Sequence, residues 1–153
     1  MRILISYPEI LKNEIDLIHQ EMNTGKWDLF HLRKPNLTEK EIEVFYNNLN
    51  DVVKNKTVLH HLFKGSCHSF IEVDALDGKL DYCFLSPVFD SISKPGYKTP
   101  FDREALRTFL KKKRKIKVIA LGGVTEENYN ELIALGFDGG AFLGSVWKKY
   151  IKN

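Results

Sequence analysis

Short apolar runs alternate with amphipathic stretches along this chain, and short connections join them; no other feature constrains its fold as tightly. Residues 2–6 read as a buried strand. Leu11, Ile15, Ile18 and Met22 then recur at spacings of four, three and four, one face of a helix that Gly25 closes. Residues 27–32 form the next strand candidate. Thr38-Glu39-Lys40-Glu41 is a capping box, and Ile42, Phe45, Leu49 and Val52 lie on one face of the helix it opens. Residues 57–60, 80–85, 116–121 and 140–143 read as further strands, the middle two continuously apolar as a sheet covered on both faces requires. Asp102 and Thr125 are placed to cap helices, Gly136 to end one, and Ser145-Val146-Trp147 to open a short last helix. Repeated β-α units predict an α/β fold with a parallel sheet, in one domain spanning residues 1–153.

Composition removes several classes. With 43% hydrophobic residues and only 10 Gly and 5 Pro in 153, the chain can build a core and is neither collagenous nor low-complexity. No stretch approaches the ~18–20 apolar residues of a membrane span, and Pro8 interrupts the first apolar run too early for a secretory signal. Cys67 and Cys83 make neither a disulfide framework nor a metal pattern, so a reducing, cytoplasmic compartment is expected. A net charge of +3 does not argue for nucleic acid. Six of the seven residues 111–117 are basic, but they follow Leu106, Phe109 and Leu110 and lack interleaved aromatics; cations in a last helical turn, offsetting the helix dipole, explain them better.

Periodicity alone does not separate an open doubly wound sheet from a closed barrel. The strand ends bear on the choice. Gly122-Gly123 ends one strand and Gly144-Ser145 ends the next. Barrels build a phosphate cradle from backbone N–H groups in two such loops, although the same glycines also suit ordinary tight turns.

Four blocks carry a resemblance. His31-Leu32-Arg33-Lys34-Pro35, Ser66-Cys67-His68-Ser69, residues 87–94 (PVFDSISK), and the pair formed by residues 119–124 with Asn128 and residues 136–146 agree in order and spacing with one family. The sequence resembles the thiamine phosphate synthases, including their thiazole tautomerase branch, over nearly its whole length. The resemblance implies a TIM (β/α)8 barrel. It implies an enzyme, a transferase, that joins hydroxymethylpyrimidine diphosphate to a thiazole phosphate, giving thiamine phosphate and pyrophosphate after the diphosphate has left. It also implies Mg2+ as cofactor and small phosphorylated substrates as partners, with no nucleic acid or membrane, and a homodimer among the assemblies it allows.

Carried over by position, the resemblance assigns Lys94, Arg33 and His68 to catalysis. His31, Arg33, Lys34, Ser66 and Lys94 would bind the diphosphate and pyrimidine, and Ser91, Ser93, Gly122, Gly123, Gly144 and Ser145 the thiazole phosphate. The residue types suit that work, because departure of a diphosphate is catalysed mainly by positive charge and preorganised donors. Plainer readings stand beside these roles: Arg33 and Lys34 as surface charges after a strand, and His68 as a structural histidine. In the tautomerase branch a histidine in the stretch around His68 would shuttle the proton, and a non-catalytic phosphate-binding barrel is the third reading.

The chain also departs from the family. It falls well short of the ~200 residues at which such barrels start, and the deficit is local. After residues 58–63 the family continues through a helix, a fourth strand and an acidic metal ligand. Here Lys64-Gly65 leads directly to Ser66. Either roughly 40 residues are lacking from the sequence between Phe63 and Ser66, or the barrel is contracted. The first is the expectation, since deleting a strand opens two edges in a closed sheet. His60-His61 stands where the family has Asn-Asp, and imidazole is a poor ligand for Mg2+, so the metal ligands stay unassigned.

Overall fold

The computed structural model describes residues 1–89 and 99–151. They divide into two compact units, Arg2–Phe63 and Lys64–Asn153, the latter joined by Met1.

The N-terminal unit carries β1 (Arg2–Ile5), α1 (Glu14–Met22), β2 (Leu29–Leu32), α2 (Glu39–Asn47), α3 (Asp51–Lys54) and β3 (Thr57–Leu59). Its strands run parallel in the order β3-β2-β1, with Leu4 opposite Phe30 and His31 opposite Val58. Ile3, Leu4, Ile5, Phe30 and Leu32 are fully buried, each side chain stabilising the fold by ~1.5–3 kcal/mol. The expected capping box of α2 is present: Thr38 Oγ1 accepts from the Glu41 N–H at 3.1 Å, and Glu41 Oε1 accepts from the Thr38 N–H at 3.0 Å.

The helix does not run on to Val52 as the apolar spacing suggests. It stops at Asn47, and the Asn50 side chain caps the new helix α3 by accepting from the Val53 N–H at 2.9 Å. Asparagine side chains compete with the helix ladder in this way. The restart changes which valine is buried: Val53 is inside and Val52 is 64% exposed. β3 is one residue shorter than expected, because His60 begins a 3-10 turn, His60–Leu62.

The C-terminal unit carries β4 (Ser66–Cys67), α4 (Phe70–Leu76), β5 (Tyr82–Leu85), α5 (Arg103–Leu110), β6 (Lys117–Ala120), α6 (Tyr129–Leu135), β7 (Gly139–Phe142) and α7 (Gly144–Trp147). Its strands are parallel in the order β7-β6-β5-β4. Asp102 caps α5 as expected. Thr125 does not cap α6 directly. It exchanges two hydrogen bonds with Asn128, and that turn delivers the chain into a helix starting at Tyr129, which Gly136 ends at φ 112°. The basic run begins at the C-cap of α5 rather than within its last turn; Arg114 stacks on Phe109 and pairs with Asp74. Gly139 has no room for a side chain, since a Cβ there would collide with the Met1 carbonyl.

Only the 3-10 turn and residues 63–65 connect β3 to β4, so the helix and strand that the family has there are lacking, as the sequence indicated. β4 itself was not legible in the sequence. It is two residues long and gains its place from the ladder, with Phe84 N–H donating to Gly65 O at 2.8 Å and Ser86 N–H to Cys67 O at 3.0 Å.

Candidate functional site

In parallel α/β folds the carboxyl ends of the strands carry the chemistry. In the C-terminal unit those of β5 and β6 are tied together by the backbone, and the turn after β7 is tied on by a side chain. Val88 N–H donates to Leu121 O and Phe89 N–H to Gly122 O, both at 3.0 Å. Gly122 takes φ 102°, and a Cβ there would stand 2.9 Å from Pro87 Cα, so only glycine lets the two loops approach. Asn128 Nδ2 donates to Gly123 O at 2.8 Å, and Ser145 Oγ donates to Val124 O at 2.9 Å.

Among the described residues the N–H groups of Gly123, Gly144 and Ser145 find no acceptor in the chain, and all three residues are half-buried. Fixed, accessible N–H groups on glycine-rich turns suit an anion. Ser145 thus has its backbone N–H to offer, while its hydroxyl proton is occupied as a brace.

Ser66 and His68 flank the buried Cys67 and are both exposed. His68 Nδ1 lies 3.2 Å from Ser86 O and 3.3 Å from Ser86 Oγ. When Nδ1–H donates to that carbonyl, Nε2 is left as a base open to solvent. Ser86 is a partner of His68 that sequence reading missed; its only signal was its place at the end of a strand before Pro87. Ser91, Ser93 and Lys94 lie outside the described residues.

In the N-terminal unit the end of β2 places His31, Arg33 and Lys34. His31 is wholly buried, its Nδ1 3.0 Å from that of His60. Burial, with His60 beside it, pulls its pKa down to about 3. His60 is held below the ordinary value too, by burial first and then by the charges of Arg33 and His61. With no exposed surface and its Nδ1 turned to His60, His31 is a core residue and not the diphosphate contact expected.

Lys34 is also a correction. Its ammonium is buried and donates to Tyr7 O at 2.7 Å, Glu9 O at 2.7 Å and the Glu14 carboxylate, which uses all three protons. Burial lowers its pKa, while the hydrogen bond and charge of Glu14 pull it back up. It presents nothing to a ligand. Arg33 differs: half-buried, it engages Ser6 through its backbone, and its guanidinium makes no hydrogen bond or ion pair among the described residues.

Parallel β/α units with glycine-built strand ends define an α/β protein of the TIM-barrel type. Comparison with solved structures agrees. A thiamine phosphate pyrophosphorylase from Bacteroides thetaiotaomicron superposes with a TM-score of 0.76 at 25% identity, over 97% of this chain and 85% of that one. A second, from Pyrococcus furiosus, matches the fold with a TM-score of 0.65 at 19% identity, over 95% of this chain and 86% of that one. A family model described as thiamine monophosphate synthase matches residues 64–146, more than half of the chain. The chain belongs to that family.

Among curated proteins it is similar to the thiamine-phosphate synthase of Listeria welshimeri, 29% identical over 83 residues, which cover 53% of this chain and 40% of that protein. That of Latilactobacillus sakei is 30% identical over 90 residues, covering 57% and 40%. The matches span less than half the length of these curated relatives.

Proposed function

We propose that the protein is a transferase that condenses hydroxymethylpyrimidine diphosphate with a thiazole phosphate to give thiamine phosphate and pyrophosphate. The carrying observation is the braced N–H cradle of Gly123, Gly144 and Ser145, in the unit that the family model matches. In this reading the cradle holds the thiazole phosphate. By the same reading Arg33, whose guanidinium has no partner among the described residues, is a cation suited to a departing diphosphate. The pyrimidine carbon–oxygen bond breaks first, pyrophosphate leaving with the electron pair, and the thiazole nitrogen then bonds to that carbon through its own lone pair.

Mg2+ is the cofactor that the resemblance implies. Among the described residues no group of three His, Cys, Asp or Glu is placed to hold a metal, and the end of β3 offers the imidazoles of His60 and His61. Those residues do not fit Mg2+, and the proposal routes no step through it. No helix among the described residues is long and apolar enough to cross a membrane. The unpaired, buried thiols of Cys67 and Cys83 favour a reducing, cytoplasmic setting.

One observation favours a second reading. With Nδ1 held by Ser86, His68 has its Nε2 free to move a proton, as a thiazole tautomerase requires. Incubation with both substrates, with Mg2+ and with EDTA, reading thiamine phosphate as thiochrome, separates the two. The transferase reading expects product that Arg33→Ala abolishes. A folded protein that makes none, yet converts the tautomer through His68, overturns it.

A further inference from the structure

Arg33 is fixed on both sides while its tip is left open. Ser6 Oγ accepts from the Arg33 N–H at 2.7 Å and donates to the Arg33 C=O at 2.8 Å, and Ser6 N–H donates to His31 O at 3.0 Å. One residue on, Lys34 gathers Tyr7 O, Glu9 O and the Glu14 carboxylate onto one ammonium. The other Glu14 oxygen accepts from Leu11 N–H at 3.0 Å, so the connection between β1 and α1 is wound around a single buried ion pair.

Burying two charges is costly, and apolar residues of the same volume often stabilise a fold as well or better. Stability alone therefore does not explain the pair. What it supplies is geometry: the backbone beneath Arg33 has one arrangement, and the guanidinium above it stays without a partner among the described residues. A cation so prepared loses little freedom when an anion arrives.

We propose that Ser6 and the Glu14–Lys34 pair are positioning residues that aim Arg33 at the anion it binds. The inference rests on the anion-binding reading of Arg33 given above. Lys34 then acts through Arg33 and not on the ligand, although it follows Arg33 directly in sequence.

The test is a double-mutant cycle read as the dissociation constant of inorganic pyrophosphate by titration calorimetry. Ser6→Ala and the charge-free double variant Glu14→Gln/Lys34→Met are each compared with and without Arg33→Ala. With Arg33 present, each is expected to weaken binding by roughly 10- to 100-fold, as when a hydrogen bond to a charged oxygen is lost. On the Arg33→Ala background the same changes should alter binding by less than about twofold, since nothing remains to aim.

Equal losses on both backgrounds, or no loss on either, overturn the inference. So does failure of both variants to fold, which would make the arrangement a folding device. If Arg33→Ala itself binds pyrophosphate as the unaltered chain does, the anion reading of Arg33 falls, an outcome the cycle keeps separate.

Discussion

Under the proposed function, the two units prepare for an anion in opposite ways. The N-terminal unit uses one side chain, Arg33, and spends a hydroxyl and a buried ion pair on the backbone beneath it. The C-terminal unit uses the backbone itself, with glycines at strand ends and the side chains of Asn128 and Ser145 as braces. The first solution depends on groups distant in sequence that must all be present. The second depends mainly on local shape, which a short motif encodes. The family model matches the second unit's stretch, residues 64–146.

That contrast can be broken at several points. The largest effect is expected from Lys34→Met, which leaves the Glu14 carboxylate buried and unpaired. A loss of about 3–5 kcal/mol is predicted, lowering the thermal midpoint by roughly 10 °C or more for a chain of this size; an unchanged midpoint would show that the pair contributes nothing.

Acid should act on the same unit. His31 is neutral when folded, with a pKa about 3, whereas the unfolded chain takes up its proton below about 6.5. The unfolded state then binds more protons, so stability is complete above about pH 6.5 and falls as the pH drops towards 3. The slope is up to about 1.4 kcal/mol per pH unit, or about 2 kcal/mol at pH 5. Urea melts at pH 7 and 5 should show this, and His31→Gln should flatten it.

Gly122→Ala probes the other unit. A left-handed φ and a Cβ against Pro87 predict a loss of about 1–3 kcal/mol. Gly25→Ala, at φ 74° but with open space around its Cβ, should cost less; equal losses in urea melts would remove the close approach of the two loops as the cause. The smallest effect, about 1 kcal/mol, is expected from Thr38→Ala, which removes one half of the α2 capping box.

Local devices were the legible ones. The capping box at Thr38 and Glu41, the cap at Asp102 and the stop at Gly136 each involve neighbours within three or four residues, and the structure keeps them all. The split after Asn47 was missed because the apolar spacing continues across it; Asn50 decides the matter through a side chain that periodicity does not weigh. β4 has too few residues to show a period. Lys34 looked like a ligand because it follows Arg33 at a strand end. Its partner Glu14 lies 20 residues earlier, and nothing in the spacing announces a buried pair. His31 likewise reads as a donor until its burial beside His60 is seen. The Gly122-Gly123 turn was readable because its left-handed φ and its close approach to Pro87 both call for glycine.

The most direct measurement is a calorimetric titration of thiazole phosphate into the unaltered chain, Arg33→Ala and Gly122→Ala. The account predicts that Arg33→Ala keeps its affinity within about twofold, while Gly122→Ala loses on the order of 10- to 100-fold, the worth of displaced N–H donors to a charged oxygen. Loss with Arg33→Ala and full affinity in a folded Gly122→Ala would contradict it.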